Sequence, residues 1–572
     1  MEVLITNANV RTSDDAVPHA DTLLVEDGRI RYVGDRAGAP LTDATVVDLG
    51  GRTVIPGLID AHTHPAMVAS SRWHIPLPVT LSRDELLAFI GAYADAHPRE
   101  EAPYLYFEYY DAAIFGGDQP TRHLLDAVVS DRPVLCQNFT EHEHWVNTRM
   151  LELMGVTRET PDPVPGLEMF VRDDDGEPTG LLRELVHLNF IDTMYEALGW
   201  RPPEEPTPQR LAPFFRFMSD HGVTGLFDAL VEDESVVASV AELDRHGELR
   251  LDYEGAVRFR RLTDLPEAIE RLAAWDRRHG GPHVRLRTLK LFLDGTNESG
   301  NGAVLAPLDG VDASHPRGDL AMDAAELAAC LRTAQRAGVG MHIHLVGDRA
   351  FRTACDAVEA ARAQCTAARE RWDMRVVLSH CELVDPADMR RPADLGITVN
   401  WTPHWSGGYF GEGARPRLGV ERWERMYRFG EIADHGADVT FGSDVVTEYE
   451  AHRAAPFFGM QVAATRIDPE YPLDAERYPD SVRPAADAAL PVPLLLQGYT
   501  IAAARQLRLD ARVGSLAVGK AANLCVLDRD PLRIPVGDLA RVGIDAVLFE
   551  GHVVAGSLGA DVTTSSAERK SA

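Results

Sequence analysis

Short apolar runs alternate with stretches of helical periodicity through the middle of the chain. Eight runs predict strands: "TVIPGLIDAHTH" (53–64), "GVTGLFDAL" (222–230), "LRLDYEGAVRF" (249–259), "RLRTLKLFLDG" (285–295), "VGMHIHLVGD" (339–348), "MRVVLSHCEL" (374–383), "GITVNWTP" (396–403) and "ADVTFGSDVV" (437–446). Near-continuous apolar runs mark strands buried on both faces of a parallel sheet. Segments with helical spacing, such as "AAELAACLRTAQRAG" (324–338) and "YRFGEIADHGA" (427–437), precede several of them. Strands alternating with helices argue for an α/β layout, and eight strands with intervening helices argue for a (β/α)8 TIM-like barrel.

The two ends have a different texture. "LITNANV" and "TLLVEDGRIRYVG" near the start, and "VGSLAVGKAANLCVLDRDP" and "DAVLFEGHVVAG" near the end, read as short strands with turns at Asp27-Gly28, Gly519-Lys520 and Glu550-Gly551. Asp-Gly between alternating apolar runs is a hairpin signal, because a type I′ turn needs positive φ at both central residues. The expected organisation is a composite β-sandwich domain from both termini (1–56 and 508–557) around a barrel (57–507), with residues 558–572 a flexible tail. The first and second strands lie too far apart for one crossover. Residues from about 70 to 220 are therefore expected to form an inserted subdomain that could cap the barrel mouth.

Composition narrows the function classes. Of the 572 residues, 45% are hydrophobic and 25% charged, as in ordinary globular proteins, and the formal net charge is −31. Nucleic-acid binding needs clustered positive charge, so no nucleic-acid partner is expected. The start, "MEVLITNANVRTSDD", lacks a basic segment followed by a long apolar run, and no window reaches the length of a membrane span. Six cysteines are scattered without CxxC spacing, which fits reduced thiols and a cytoplasmic location.

Polar residues interrupt the apolar runs at one end of the barrel, where such folds place their chemistry. His62 and His64 are two apart and share a face of the first strand, so they can reach one point in space; a metal explains the pair, as would two unrelated polar residues at a strand exit. Lys290 sits among Leu289, Leu291, Phe292 and Leu293. Buried there, it must pair with a carboxylate or lose its charge, and a neutral amine can take up carbon dioxide as a carbamate able to bridge two cations. His342 and His344 lie on the fifth strand, His380 on the sixth and Asp444 on the eighth. Cys381, beside His380, faces the other way and reads as a packing residue.

As a set, "GLIDAHTHP", "RDDDGEPTGLLRE", "LKLFLDGT", "HLVGDRA", "LSHCEL", "FGSD", "YTIAAARQL" and "GSLAVGKAANLCVLDRDP" resemble the third family of the amidohydrolase superfamily, which includes N-substituted formamide deformylases. The resemblance spans roughly residues 2 to 556. It implies a metal site of His62, His64, Lys290 as the carbamate, His344, His380 and Asp444. His344 fits better than His342 because the family's histidine stands three residues before the Gly-Asp pair, here Gly347-Asp348. The implied cofactors are one or two divalent ions, zinc or else manganese, iron or cobalt, with carbon dioxide on Lys290. The implied reaction is hydrolysis of a carbon–nitrogen bond in an amide or N-formyl or N-acyl small molecule. Asp444 would take a proton from water and pass it to the leaving nitrogen. A homodimer is a further expectation by analogy.

Departures from the family bear on substrate. "TEHEHW" (140–145) keeps a matching histidine, His142, which either contacts substrate from the insertion or lies in a solvated loop. "NWTPHWSGGYF" (400–410) offers Trp401, His404, Trp405 and Tyr409, which could stack a ring-bearing substrate or pack loop against lid. Asp60, one step deeper than the histidines, reads as a brace behind the site. Asp348 and Arg349 are expected to brace the loop after the fifth strand, and Asp228 is either a structural hydrogen-bonder or a site residue. Asn523 stands where relatives usually have Asp. Deamination, isomerisation or carbon–carbon cleavage on the same fold is the alternative reaction, and a non-catalytic scaffold is a third reading.

Overall fold

A computed structural model describes residues 2–78, 81–115, 119–311, 315–407, 410–470, 489–559 and 562–563. Tyr409 lies outside the described residues. All eight expected barrel strands are present: β1 (Leu58–Thr63), β2 (Val223–Val231), β3 (Asp252–Arg258), β4 (Val284–Phe292), β5 (Gly340–Leu345), β6 (Val376–His380), β7 (Thr398–Trp401) and β8 (Val439–Phe441). They pair in parallel and in chain order. Apolar side chains on the outer face bury against the ring of helices, as at the helix Ala324–Ala337, whose Leu327, Ala328, Leu331 and Ala334 turn inward. That helix begins on a capping box from Asp323 and Glu326 and ends on Gly338 at φ +73°.

Two close approaches shape the ring. A Cβ on Gly57 would lie 2.2 Å from Thr224 Oγ1, so glycine is required where the chain leaves a sandwich strand, Thr53–Pro56, and enters β1. The first predicted run is thus two strands in two sheets. At the far edge, a Cβ on Gly442 would lie 2.5 Å from the His62 backbone nitrogen, and the Asp444 N–H donates to the His62 carbonyl at 2.8 Å. The end of β8 is thereby fastened to the histidine strand.

The terminal segments form a five-stranded and a six-stranded sheet that enclose a separate core including Ile5, Leu23, Val54, Leu524 and Leu548. Asp27 and Gly28 both have positive φ (49° and 74°) between antiparallel strands Thr22–Glu26 and Arg29–Gly34, as the hairpin signal requires. Within the segment expected to be a loose tail, Val562–Thr563 pairs antiparallel with Thr45–Asp48, supplying an edge strand instead. Between β1 and β2, a six-stranded mixed sheet with two apolar clusters carries "TEHEHW" on and just before its strand Glu143–Val146.

Candidate metal centre

Strand register sets the depth of each inward side chain. Lys290 pairs with His342 in one layer, and Phe292 pairs with His344 in the next layer towards the mouth. His380 ends β6 at φ +71°, and Asp444 follows β8 at φ +53°. Left-handed backbone is uncommon for non-glycine residues and clusters at functional sites, where it re-aims a side chain. Both residues turn into the same cavity as β1.

The cavity is lined by His62, His64, His142, Lys290, His344, His380, Asp444 and Trp405, among others. Asp444 lies at its centre: Oδ1 is 3.0 Å from His64 Nε2 and 3.3 Å from His62 Nε2, and Oδ2 is 3.6 Å from His380 Nδ1. Donor atoms of His62, His380 and Asp444 all lie within 4.8 Å of one another. His344 is brought in from the side, its ring 4.5 Å from that of His380, while its Nε2 lies 3.2 Å from the Gly295 carbonyl. If Nε2 carries the proton and donates to that carbonyl, Nδ1 is left as the lone-pair nitrogen.

Burial holds the imidazoles of His62, His344 and His380 well below the usual histidine range, helped by nearby positive groups, so they are neutral, as metal ligands must be. For Asp444, burial pushes the carboxyl up, but the hydrogen bond with His64 and the electrostatic influence of His64, Lys290 and His142 outweigh it and leave it below the ordinary value. Lys290 is buried, and burial lowers its amine to about 7. Its nearest polar neighbour is His62 Nε2 at 3.5 Å, and among the described residues no carboxylate stands within 4 Å of Nζ. A lysine neutralised by a buried acid is therefore not what the fold built.

These donors fit a divalent metal. Neutral nitrogen and carboxylate oxygen suit zinc and its first-row neighbours, and two buried nitrogens, His64 Nδ1 and His380 Nε2, have no hydrogen-bond partner.

Other expected residues take different places. Asp60 Oδ1 accepts the backbone N–H groups of His62 and Ser443, each at 3.1 Å, tying the end of β1 to the segment that carries Asp444. His342 does not line the cavity; its Nε2 lies 3.0 Å from His62 Nδ1, behind the first-strand ring. His142 Nδ1 lies 2.6 Å from Glu184 Oε2, and its ring is 5.0 Å from that of His344, so it is no solvated loop residue. Asp228 accepts from the Tyr253 hydroxyl at 2.7 Å and is structural.

Two expected substrate contacts are corrected. Trp401 is buried away from the cavity, stacked on Phe429 at 4.5 Å with the Arg466 guanidinium 4.9 Å from its ring. His404 is also buried and absent from the cavity wall. Trp401 ends β7 and His404 begins the loop that leaves it, and both pack inward before Trp405 emerges. Asp348 is corrected too: it accepts the Leu305 N–H at 2.7 Å, and Arg349 donates to the Gly318 carbonyl at 2.6 Å, so both brace the loop after β4. The loop after β5 is held by Asp294, which accepts from the N–H groups of Val346 (2.9 Å), Gly347 (3.0 Å) and Ala303 (2.8 Å). Sequence reading passed over Asp294, although a polar residue directly after "LKLFL" signalled it. Met67, Glu298 and Glu382 of the wall also went unnoticed, because each stands beyond a strand end.

Residues 45–555 match the amidohydrolase family. The chain belongs to that family. It is a metal-dependent hydrolase of carbon–nitrogen bonds built on the barrel described above. Among relatives, N-substituted formamide deformylase of Arthrobacter pascens is 28% identical over 96% of this chain and 97% of its own length. Exoenzymes regulatory protein AepA of Pectobacterium carotovorum subsp. carotovorum is 29% identical over 76% of this chain and 92% of its own length. Among solved structures, a metal-dependent hydrolase from Pyrococcus horikoshii OT3 covers 94% of this chain and 99% of its own, with a TM-score of 0.65 at 23% identity.

Proposed function

We propose that this amidohydrolase cleaves an N-formyl or N-acyl amine, and that His62, His64, His344, His380 and Asp444, with Lys290 as a carbamate, hold the divalent metal, zinc first among candidates. The observation that carries the reading is Lys290: a buried amine lowered to about 7, with no carboxylate within ion-pair distance among the described residues, in a cavity shared with His62, His64, His344 and His380. A carbamate there would supply the missing anion. The full-length similarity to N-substituted formamide deformylase supports the same bond class.

When bound, the metal would lower the pKa of a water towards 7 and polarise the substrate carbonyl. The protein's own groups do the rest. The Asp444 carboxylate, kept ionised by His64, accepts the proton of the attacking water and returns it to the departing nitrogen. His142, held by Glu184, faces the cavity from the inserted sheet and is placed to donate to the carbonyl oxygen. Trp405 packs with Tyr109 and Phe139, and Trp405 and Phe139 form an aromatic part of the cavity wall.

The test is direct. Protein expressed with added zinc is assayed for bound metal and for release of free amine and carboxylate from N-formyl and N-acyl amines. Substoichiometric metal with no activity restored by divalent ions would overturn the reading, as would a product of unchanged mass.

A further inference from the structure

The metal cavity is small, about 70 Å³, with room for a scissile group and a water but little else. Beside it lies a second chamber of about 320 Å³. Met67, Glu141, Leu185, Leu230 and Val446 line both, so the two meet across one shared wall. A dry space of roughly 150 Å³ already accepts benzene, and ligand pockets start at about 300 Å³. The second chamber is of a size to take a ring and a short linker.

Its lining is largely aromatic and apolar, and its two exposed carboxylates, Glu232 and Asp233, are engaged by the Arg258 guanidinium at 3.1 Å and the Ser235 N–H at 2.7 Å. Tyr104, Tyr106 and Tyr195 from the inserted subdomain face it together with His74, His144 and His187. These rings already pack on one another: His74 is stacked on Tyr106 at 3.8 Å, and His144 and His187 are 4.0 Å apart. Burial holds His74 and His187 down to about 3 and His144 well below its ordinary value, so the imidazoles carry no charge at neutral pH. No lysine or arginine is among the lining residues, so nothing there balances an anionic substituent. The deep carboxylates are engaged, Glu204 by the Tyr195 hydroxyl at 2.8 Å and Glu141 by the Tyr109 hydroxyl at 2.8 Å.

We propose that this chamber is the substituent pocket of the enzyme, and that the substrate class is amides bearing an uncharged aromatic group on the nitrogen. The scissile group sits at the metal cavity, and the ring passes the Met67, Leu185 and Leu230 wall into the tyrosine and histidine lining. The inserted subdomain, rather than the barrel, thus sets specificity. This rests on the carbon–nitrogen hydrolysis reading for its kinetic test but not for its binding test.

The kinetic test compares N-phenethylformamide with N-ethylformamide on the metal-loaded enzyme. The expected kcat/KM ratio is tenfold or more in favour of the ring, consistent with about 10- to 200-fold for pocket-filling apolar groups. Ile191→Trp, which fills the chamber from the helix Ile191–Leu198, should cut kcat/KM for N-phenethylformamide at least tenfold more than for N-ethylformamide and so remove the preference. Leu188→Trp, at a partly exposed position of the same wall, is the second variant should the first fold poorly. Equal turnover of the two substrates, equal loss of both in the variants, or a preference for a ring bearing a carboxylate or for a trimethylammonium substituent would overturn the proposal. Calorimetric binding of N-phenethylformamide to metal-stripped protein gives the independent arm. Binding that the chamber-filling variant weakens at least tenfold supports the pocket even if no amide is hydrolysed, and no binding overturns it.

Discussion

His342 Nε2 stands 3.0 Å from His62 Nδ1, so the ring behind one proposed metal ligand is a second histidine rather than the usual carboxylate or backbone carbonyl. With His62 Nε2 turned to Asp444 and its Nδ1 turned to His342, the two nitrogens of His62 have separate tasks. Removing a residue that orients a ligand typically weakens metal binding by about 10- to 100-fold. His342→Ala should do so while metal still binds at saturation with the same stoichiometry. Competition with a chromogenic chelator measures it; a lost equivalent of metal would make His342 a ligand instead.

Lys290 offers a test of the proposed carbamate. Lys290→Ala removes both amine and anion, and activity should fall by at least about 100-fold, in line with losing a principal electrostatic group. A small carboxylate such as acetate or propionate should restore part of it by occupying the vacated space. Carbon-13 NMR of wild-type protein in labelled bicarbonate should show a carbamate resonance that the variant lacks.

Asp444→Asn keeps the shape of the side chain and loses the base. The expected outcome is a fall in kcat of about 10²- to 10⁴-fold, with substrate binding retained. Steady-state kinetics beside calorimetric binding separates the two quantities.

Trp401 and Trp405 should part company. Trp401 fills a buried slot between Phe429 and Arg466, so Trp401→Ala should cost about 3–5 kcal/mol of stability in urea unfolding. Trp405→Ala, on the cavity wall, should instead raise KM with a smaller change in stability.

The pair His74 and Glu108, 2.6 Å apart, predicts a pH dependence of stability. Burial pushes the Glu108 carboxyl up from 4.5 to about 8. A group whose pKa is raised on folding binds its proton more tightly in the native state, so its contribution is fully present below pH 4.5 and is lost as pH rises through 8. The Glu108 contribution to thermal stability should fall as pH rises from about 4.5 to about 8, and Glu108→Gln should flatten that part of the profile in differential scanning calorimetry.

Much of this protein is legible along the chain because it rests on local periodicity. Eight apolar runs bounded by helical stretches determine the barrel, Asp27-Gly28 determines its hairpin through positive φ, and polar residues at apolar strand ends mark where the chemistry lies. The His62 and His64 pair is of this kind, since a shared strand face follows from a two-residue repeat. What the chain could not determine depends on depth and on distant neighbours. His342 and His344 share a face and cannot be told apart locally; the pairing of β4 with β5 puts one level with Lys290, behind His62, and the other level with Phe292, at the mouth. Trp401 and Trp405 stand four residues apart, at the end of β7 and in the loop after it, yet Phe429 and Arg466, brought up from later in the chain, claim the first and leave the second to the cavity. The chamber beside the metal cavity exists only where an inserted sheet meets the barrel mouth, so only tertiary packing could decide it.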